Sequence, residues 1–358
     1  MSGPRWKIRS SCLSFSEVSD SQQASLKRVL LIRIGRLGDT ILATPVIEVL
    51  QRSFGTGVLI DFVTSPGASA FILGQDHRIN RVFPVSHRRV SRRIHSAKRE
   101  IEQHSCKNPY DLVINLECGD ECDDFIKFVH SHKFCGRPRI KPTHRRGRHC
   151  VDTEKTIYAD LLGIEATDAA ETSLQLSLDP QSLPVPLNED YIVINPGFSG
   201  LQRKGYRCHR AWPETHWLKL IELLKQDTGI PVLINGTSDE EQYFSSLLRI
   251  PGAHSLFGSS LLQLATALTH ARCLISVDTG TMHLAAALRT PVVALFGPGN
   301  PLLTGPYSKH ALHRILTSGV DCQPCVKTAE QKTCTFNRCM SELEPEQVFE
   351  ATQQTGKL

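Results

Sequence analysis

The chain has 358 residues, 40% of them hydrophobic and 22% charged, a globular composition that excludes a disordered or fibrous protein. That length exceeds one ordinary core and predicts two domains. The formal charge of +5 is small, but its excess lies early: residues 1–186 carry 26 Lys and Arg against 21 Asp and Glu, and the remainder balances at 15 against 15.

Residues 1–25 are polar and Ser-rich, lack the apolar stretch of a secretory signal, and are expected to form an N-terminal extension. No apolar run approaches a membrane span. Arg28 to Ile34 reads as a buried strand, Gly35-Arg-Leu-Gly38-Asp39 as a tight turn, and Thr40 to Arg52 as a helix. Further strands at Val58–Val63, Arg81–Val85 and Leu112–Leu116 alternate with polar or helical stretches, the pattern of a parallel sheet with crossovers. This gives a first domain over 26–178. Pro180, Pro184 and Pro186 mark a linker, 179–189.

The pattern then restarts in a second domain over 190–358. Strands are expected at Tyr191–Asn195, Pro231–Asn235, Cys273–Val277 and Val292–Phe296, with helices near Trp212–Gln226, from Asp239, and over Thr281–Leu288. The predicted fold class is α/β: two doubly wound Rossmann-like domains facing a cleft, the GT-B architecture, with each substrate docked against the carboxyl ends of one sheet.

Chemistry concentrates at the strand ends. Asp39 sits in the first helical turn after a glycine turn; it is either a helix-stabilising acid or a carboxylate presented to substrate. The glycines do not match a dinucleotide fingerprint. Asn195-Pro-Gly197 opens a basic loop through Arg203 and Lys204 to Arg210-Ala-Trp212-Pro213, and a guanidinium there suits a diphosphate. Asp278-Thr279-Gly280-Thr281-Met282-His283 joins a buried strand to an Ala-rich helix, whose first amides suit phosphate oxygens. Trp212 and Trp217 read as packing residues.

Two basic runs, Arg88, Arg89, Arg92, Arg93, Lys98, Arg99 and then Arg137, Arg139, Lys141, Arg145, Arg146, Arg148, favour an anionic partner or form solvated faces. Few aromatics follow the first run, so no nucleic acid is expected. Twelve cysteines in a large chain without an export signal are expected to be mostly reduced. Cys322, Cys325, Cys334 and Cys339, within residues 322–339, are a candidate structural zinc or iron site or else four free thiols.

Taken in order, Arg33-Ile-Gly-Arg-Leu-Gly-Asp39, Asn195-Pro-Gly197, Trp212-Pro213 with Trp217, Asp278 to His283, Phe296-Gly-Pro298 and Cys339-Met340 resemble glycosyltransferase family 9, the lipopolysaccharide heptosyltransferases, from Val29 to about Val348. The resemblance implies a GT-B, inverting, metal-independent glycosyltransferase with ADP-heptose as donor and a phosphorylated lipopolysaccharide inner-core acceptor. It implies a cytoplasmic enzyme, peripheral at the inner membrane, with no catalytic cofactor. On it, Asp39 is the general base. Arg210 stands where the family has a Lys on the donor phosphates, with Lys204 a competitor; Glu240 faces the donor ribose; Asp278, Thr279, Gly280, Thr281 and His283 line the diphosphate; Arg88 and Arg89 grip acidic acceptor groups. The alternatives are another nucleotide-sugar transferase, including a protein heptosyltransferase, a nucleotide-sugar epimerase on the same fold, or a basic nucleic-acid-binding protein.

Overall fold

The computed structural model describes residues 26–86, 96–117, 126, 128–136, 147–155, 170–178, 183, 190–198, 201, 209–309 and 312–355. They fall into two compact units, one drawn from residues up to 146 together with 151–170, the other from 147–150 and 171–358. The predicted extension, most of the predicted linker, Arg88, Arg89, Lys204 and most of both basic runs lie outside the described residues.

In the first unit, β1 (Arg28–Arg33), β2 (Leu59–Thr64), β3 (Ile79–Pro84), β4 (Tyr110–Asn115) and β5 (Ser131–Gly136) form a parallel sheet in the order β3-β2-β1-β4-β5. Val29, Leu30, Leu31 and Ile32 of β1 are all fully buried, as a central strand with both faces covered requires. The helix expected over Thr40–Arg52 is two helices, Leu37–Leu42 and Pro45–Phe54. Pro45 cannot donate into a continuous helix, so it starts the second one, where its missing N–H costs nothing.

The second unit repeats the plan with β6 (Ile192–Asn195), β7 (Val232–Ile234), β8 (Ala253–Ser255), β9 (Cys273–Val277), β10 (Val292–Leu295) and β11 (His313–Leu316), in the order β11-β10-β9-β6-β7-β8. Helix Glu214–Thr228 buries Trp217, Leu220, Ile221 and Leu224, a single stripe at helical spacing. Trp212 meets Trp217 edge to face at 4.7 Å and donates to the Leu343 carbonyl at 2.8 Å, so both indoles belong to the core. The expected helix from Asp239 is shorter, a 3-10 turn over Ser238–Glu240 followed by Glu241–Phe244. Among the described residues no helix is long and apolar enough to cross a membrane.

In each sheet the strand order reverses beside the first strand of the unit, between β1 and β4 and between β6 and β9. Loops leaving neighbouring strands part there in opposite directions and open a crevice at their carboxyl ends, where ligands of doubly wound sheets dock.

Candidate active site

At the first reversal, β1 ends at Arg33 and the chain turns into helix Leu37–Leu42. Asp39 lies in the first turn of that helix, and its Oδ2 accepts from the Arg36 amide at 3.1 Å. Its side chain is still 49% exposed, so capping does not occupy the whole carboxylate. Arg33 Nη2 stands 3.5 Å from Asp39 Oδ1. The turn must approach the acid closely: a Cβ on Gly35 would lie 2.4 Å from the Asp39 Cβ, so only glycine fits. Glu117, just beyond β4, accepts from the Ile34 amide at 2.5 Å and ties the two strand ends together.

The second reversal is built from three strand ends. Asn195, closing β6, accepts from Asn235 Nδ2 at 2.7 Å, donates to the Gly197 carbonyl at 3.0 Å, and reaches Thr279 Oγ1 at 3.4 Å. Gly197 is pressed onto Glu240, whose carboxylate would lie 2.7 Å from a Cβ at that position. Glu240 is buried and accepts from the Thr237 amide at 2.9 Å through Oε2.

Arg210 donates from Nη1 to the Asp278 carbonyl at 2.8 Å, and its Nη2 lies 3.4 Å from Asp278 Oδ2. Burial pushes the Asp278 carboxyl above the ordinary range, and the Arg210 guanidinium partly reverses this. Helix Gly280–Ala287 follows, with Thr279, Gly280 and Thr281 half-buried and His283 buried in its opening turns. The first amides of that helix have no preceding helical carbonyl to bond and carry the positive end of the dipole. Arg210, Glu240 and the Asp278–His283 segment are thus gathered at one end of one sheet.

The four cysteines of the candidate metal site, Cys322, Cys325, Cys334 and Cys339, are all described. Among the described residues no group of three or more His, Cys, Asp or Glu side chains is arranged to hold a metal ion. Cys334 Sγ donates to the Phe336 carbonyl at 3.0 Å and Cys339 Sγ to Asn337 Oδ1 at 3.3 Å. The thiols lie close enough that burial and one another's charge push Cys325 up, and Cys339 up to about 11. The donor chemistry suits zinc or iron; the arrangement does not close around one.

Of the first basic run, Lys98 is described and is no solvated surface charge: it is buried, its ammonium 5.2 Å from the centre of the Phe128 ring. Arg33 and Asn235 carry no role on sequence reasoning. Arg33's position in the same short motif as Asp39 was a usable signal. Asn235 had none, being forty residues from the Asn195 it contacts.

Residues 137–335 match the profile of glycosyltransferase family 9 (heptosyltransferase). The chain belongs to this family. Lipopolysaccharide heptosyltransferase 1 of Pseudomonas aeruginosa is 29% identical over 329 residues, covering 86% of this chain and 88% of that protein. The structure of E. coli heptosyltransferase WaaC with ADP superposes with a TM-score of 0.70 at 23% identity, covering 92% of this chain and 100% of that one. The dodecameric, iron-containing heptosyltransferase TibC, solved with ADP-D-beta-D-heptose, superposes with a TM-score of 0.54 at 16% identity over 92% of this chain and 77% of its own. The family 9 member described here is a glycosyltransferase of GT-B fold, as its motifs predict.

Proposed function

We propose that the protein is an inverting glycosyltransferase that moves a heptose from ADP-heptose onto a phosphorylated lipopolysaccharide inner-core acceptor. The supporting observation is the extent of the similarity to lipopolysaccharide heptosyltransferase 1, which covers 86% of this chain and so is not confined to a nucleotide-binding half. The acceptor is an anionic lipid, so the enzyme works at the cytoplasmic face of the inner membrane as a peripheral protein.

The reaction is one displacement. Asp39 takes the proton of an acceptor hydroxyl while that oxygen bonds to the anomeric carbon; the bond from that carbon to the diphosphate breaks on the opposite face, and ADP leaves with the electron pair. Arg210, the amides around Gly280 and His283 meet the departing charge, with Asp278 holding Arg210 in place. Glu240 receives the ribose hydroxyls, and Lys204 competes with Arg210 for the phosphates. Charge neutralisation falls to a guanidinium and helix amides, so the chemistry requires no metal cofactor.

A calorimetric comparison of ADP-heptose with UDP- and GDP-sugars tests the donor; tighter binding of either of the latter rejects this assignment. Asp39→Asn tests the base. Turnover should fall roughly 10²–10⁴-fold, the usual worth of general-base help, with ADP affinity unchanged. Turnover near that of the parent removes Asp39 from the mechanism.

A further inference from the structure

We infer that Arg33 is a positioning residue that holds the Asp39 carboxylate in the orientation in which it can take a proton, an inference that rests on Asp39 being the base. Arg33 is the last residue of β1, so its side chain leaves the sheet at the end where Asp39 stands. Its guanidinium is pinned on one side, Nη1 donating to the Leu116 carbonyl at 3.0 Å, and presents Nη2 to Asp39 Oδ1 at 3.5 Å. The other carboxylate oxygen accepts from the Arg36 amide at 3.1 Å. The carboxylate is therefore held at both oxygens, from a strand end and from a helix start.

The backbone between the two holds is itself braced. Glu117 takes the Ile34 amide at 2.5 Å, and its own amide donates to Asn115 Oδ1 at 3.0 Å. Gly35 packs directly against the acid, with no room for a side chain of its own: an added Cβ would lie 3.2 Å from Asp39 Oδ2. An ionised carboxylate has about four acceptor positions. The Arg36 amide takes one and the Arg33 guanidinium faces the other oxygen as an ion pair, and the half-exposed side chain leaves room on its solvent side for a hydroxyl. Arg33 is placed to act on the geometry of the acid. Its contribution is aim: a misplacement of about 1 Å at a reacting group can cost on the order of 10²-fold in rate.

Two other roles would give different kinetics. A guanidinium that gripped an anionic acceptor would act on the acceptor Michaelis constant, and one that only tied β1 to Leu116 would act on folding. The test is a cycle of Arg33→Met, Asp39→Asn and the double variant, with Arg33→Lys as the conservative change. Arg33→Met should lower kcat by up to roughly 10²-fold, with ADP affinity and acceptor KM close to those of the parent. Arg33→Lys should restore part of the loss. In the Asp39→Asn background, Arg33→Met should cost little more, because the group it aims is already inactive. An equal loss in both backgrounds, or a loss confined to KM, overturns the inference, as does an Arg33→Met enzyme with full turnover beside a crippled Asp39→Asn. Normal turnover in Asp39→Asn alone overturns the base reading and takes this inference with it. Should Arg33→Met not fold, as judged by its melting curve, Arg33→Gln carries the same cycle.

Discussion

Arg210 and Asp278 show how the proposed donor site is braced by its own side chains. Asp278 is buried, and desolvation disfavours its charge; Arg210 compensates with a carbonyl bond and a charge contact, which leaves the guanidinium oriented. Losing Arg210 should therefore act twice. ADP binding should weaken by roughly 1.5–3 kcal/mol, the range for a hydrogen bond to a charged group, measured by calorimetry. If Lys204→Ala weakens binding and Arg210→Ala does not, the phosphate contact belongs to Lys204. Stability should also become pH-dependent. The folded Asp278 carboxyl binds its proton more tightly than in the unfolded chain, so its favourable contribution is complete at low pH and is lost as pH rises through the folded value. Arg210 limits that loss, so the drop in melting temperature of Arg210→Ala should be larger at about pH 8 than at about pH 5. An equal drop at both would show that Asp278 is not the group being compensated.

At the scale of elements, the central strands were legible, as was the edge strand β3, and the other three edges were not. β1, β4, β6, β9 and β10 are continuous apolar runs because helices cover both faces, and that pattern survives in one dimension. β5, β8 and β11 read Ser-His-Lys-Phe-Cys-Gly, Ala-His-Ser and His-Arg-Ile-Leu; each is an edge strand, paired on one side, and little in its composition distinguishes it from a loop. The candidate site was legible where it depends on strand-end motifs, as at Asp39 and Asp278. It was not legible where distant side chains meet, as at Asn195 with Asn235. The same holds for the polar cluster at the other end of the first sheet, where buried Asp61 gathers Arg28, Asn80, His104 and Tyr110. The cysteine segment belongs with these cases. Spacing suggests a closed ligand set; in the structure the segment also meets the loop after β10, Gln323 Nε2 donating to the Phe296 and Gly297 carbonyls at 2.6 Å each and the Cys325 amide to the Pro298 carbonyl at 3.0 Å. It braces the loop that follows β10. Native alkylation should therefore reach exposed Cys322 ahead of buried Cys325 and Cys339, and ahead of Cys273, whose burial pushes its thiol up to about 12. One equivalent of zinc or iron with Cys322 protected from alkylation would show that the segment rearranges around a metal.

Across the whole molecule, the proposed donor groups and most of the basic excess fall in different stretches of the chain. The groups assigned to the donor, Arg210, Glu240 and Asp278 to His283, all belong to the second unit. The basic excess lies in residues 1–186, with Arg88 and Arg89 in the run matched to acceptor binding. An acceptor rich in phosphate should feel that field, and the field should weaken with salt, since the Debye length is about 8 Å at physiological ionic strength. Single exposed charges contribute little against such screening, so the informative change is Arg88→Ala with Arg89→Ala. The pair should raise the acceptor KM and flatten its dependence on ionic strength. ADP affinity should stay constant, because no donor group is altered. A parallel fall in ADP affinity would mean that the two functions are not divided between the units. Unchanged acceptor kinetics at every salt concentration would move acceptor recognition away from this pair, and the second run around Arg145 becomes the next set of side chains to exchange.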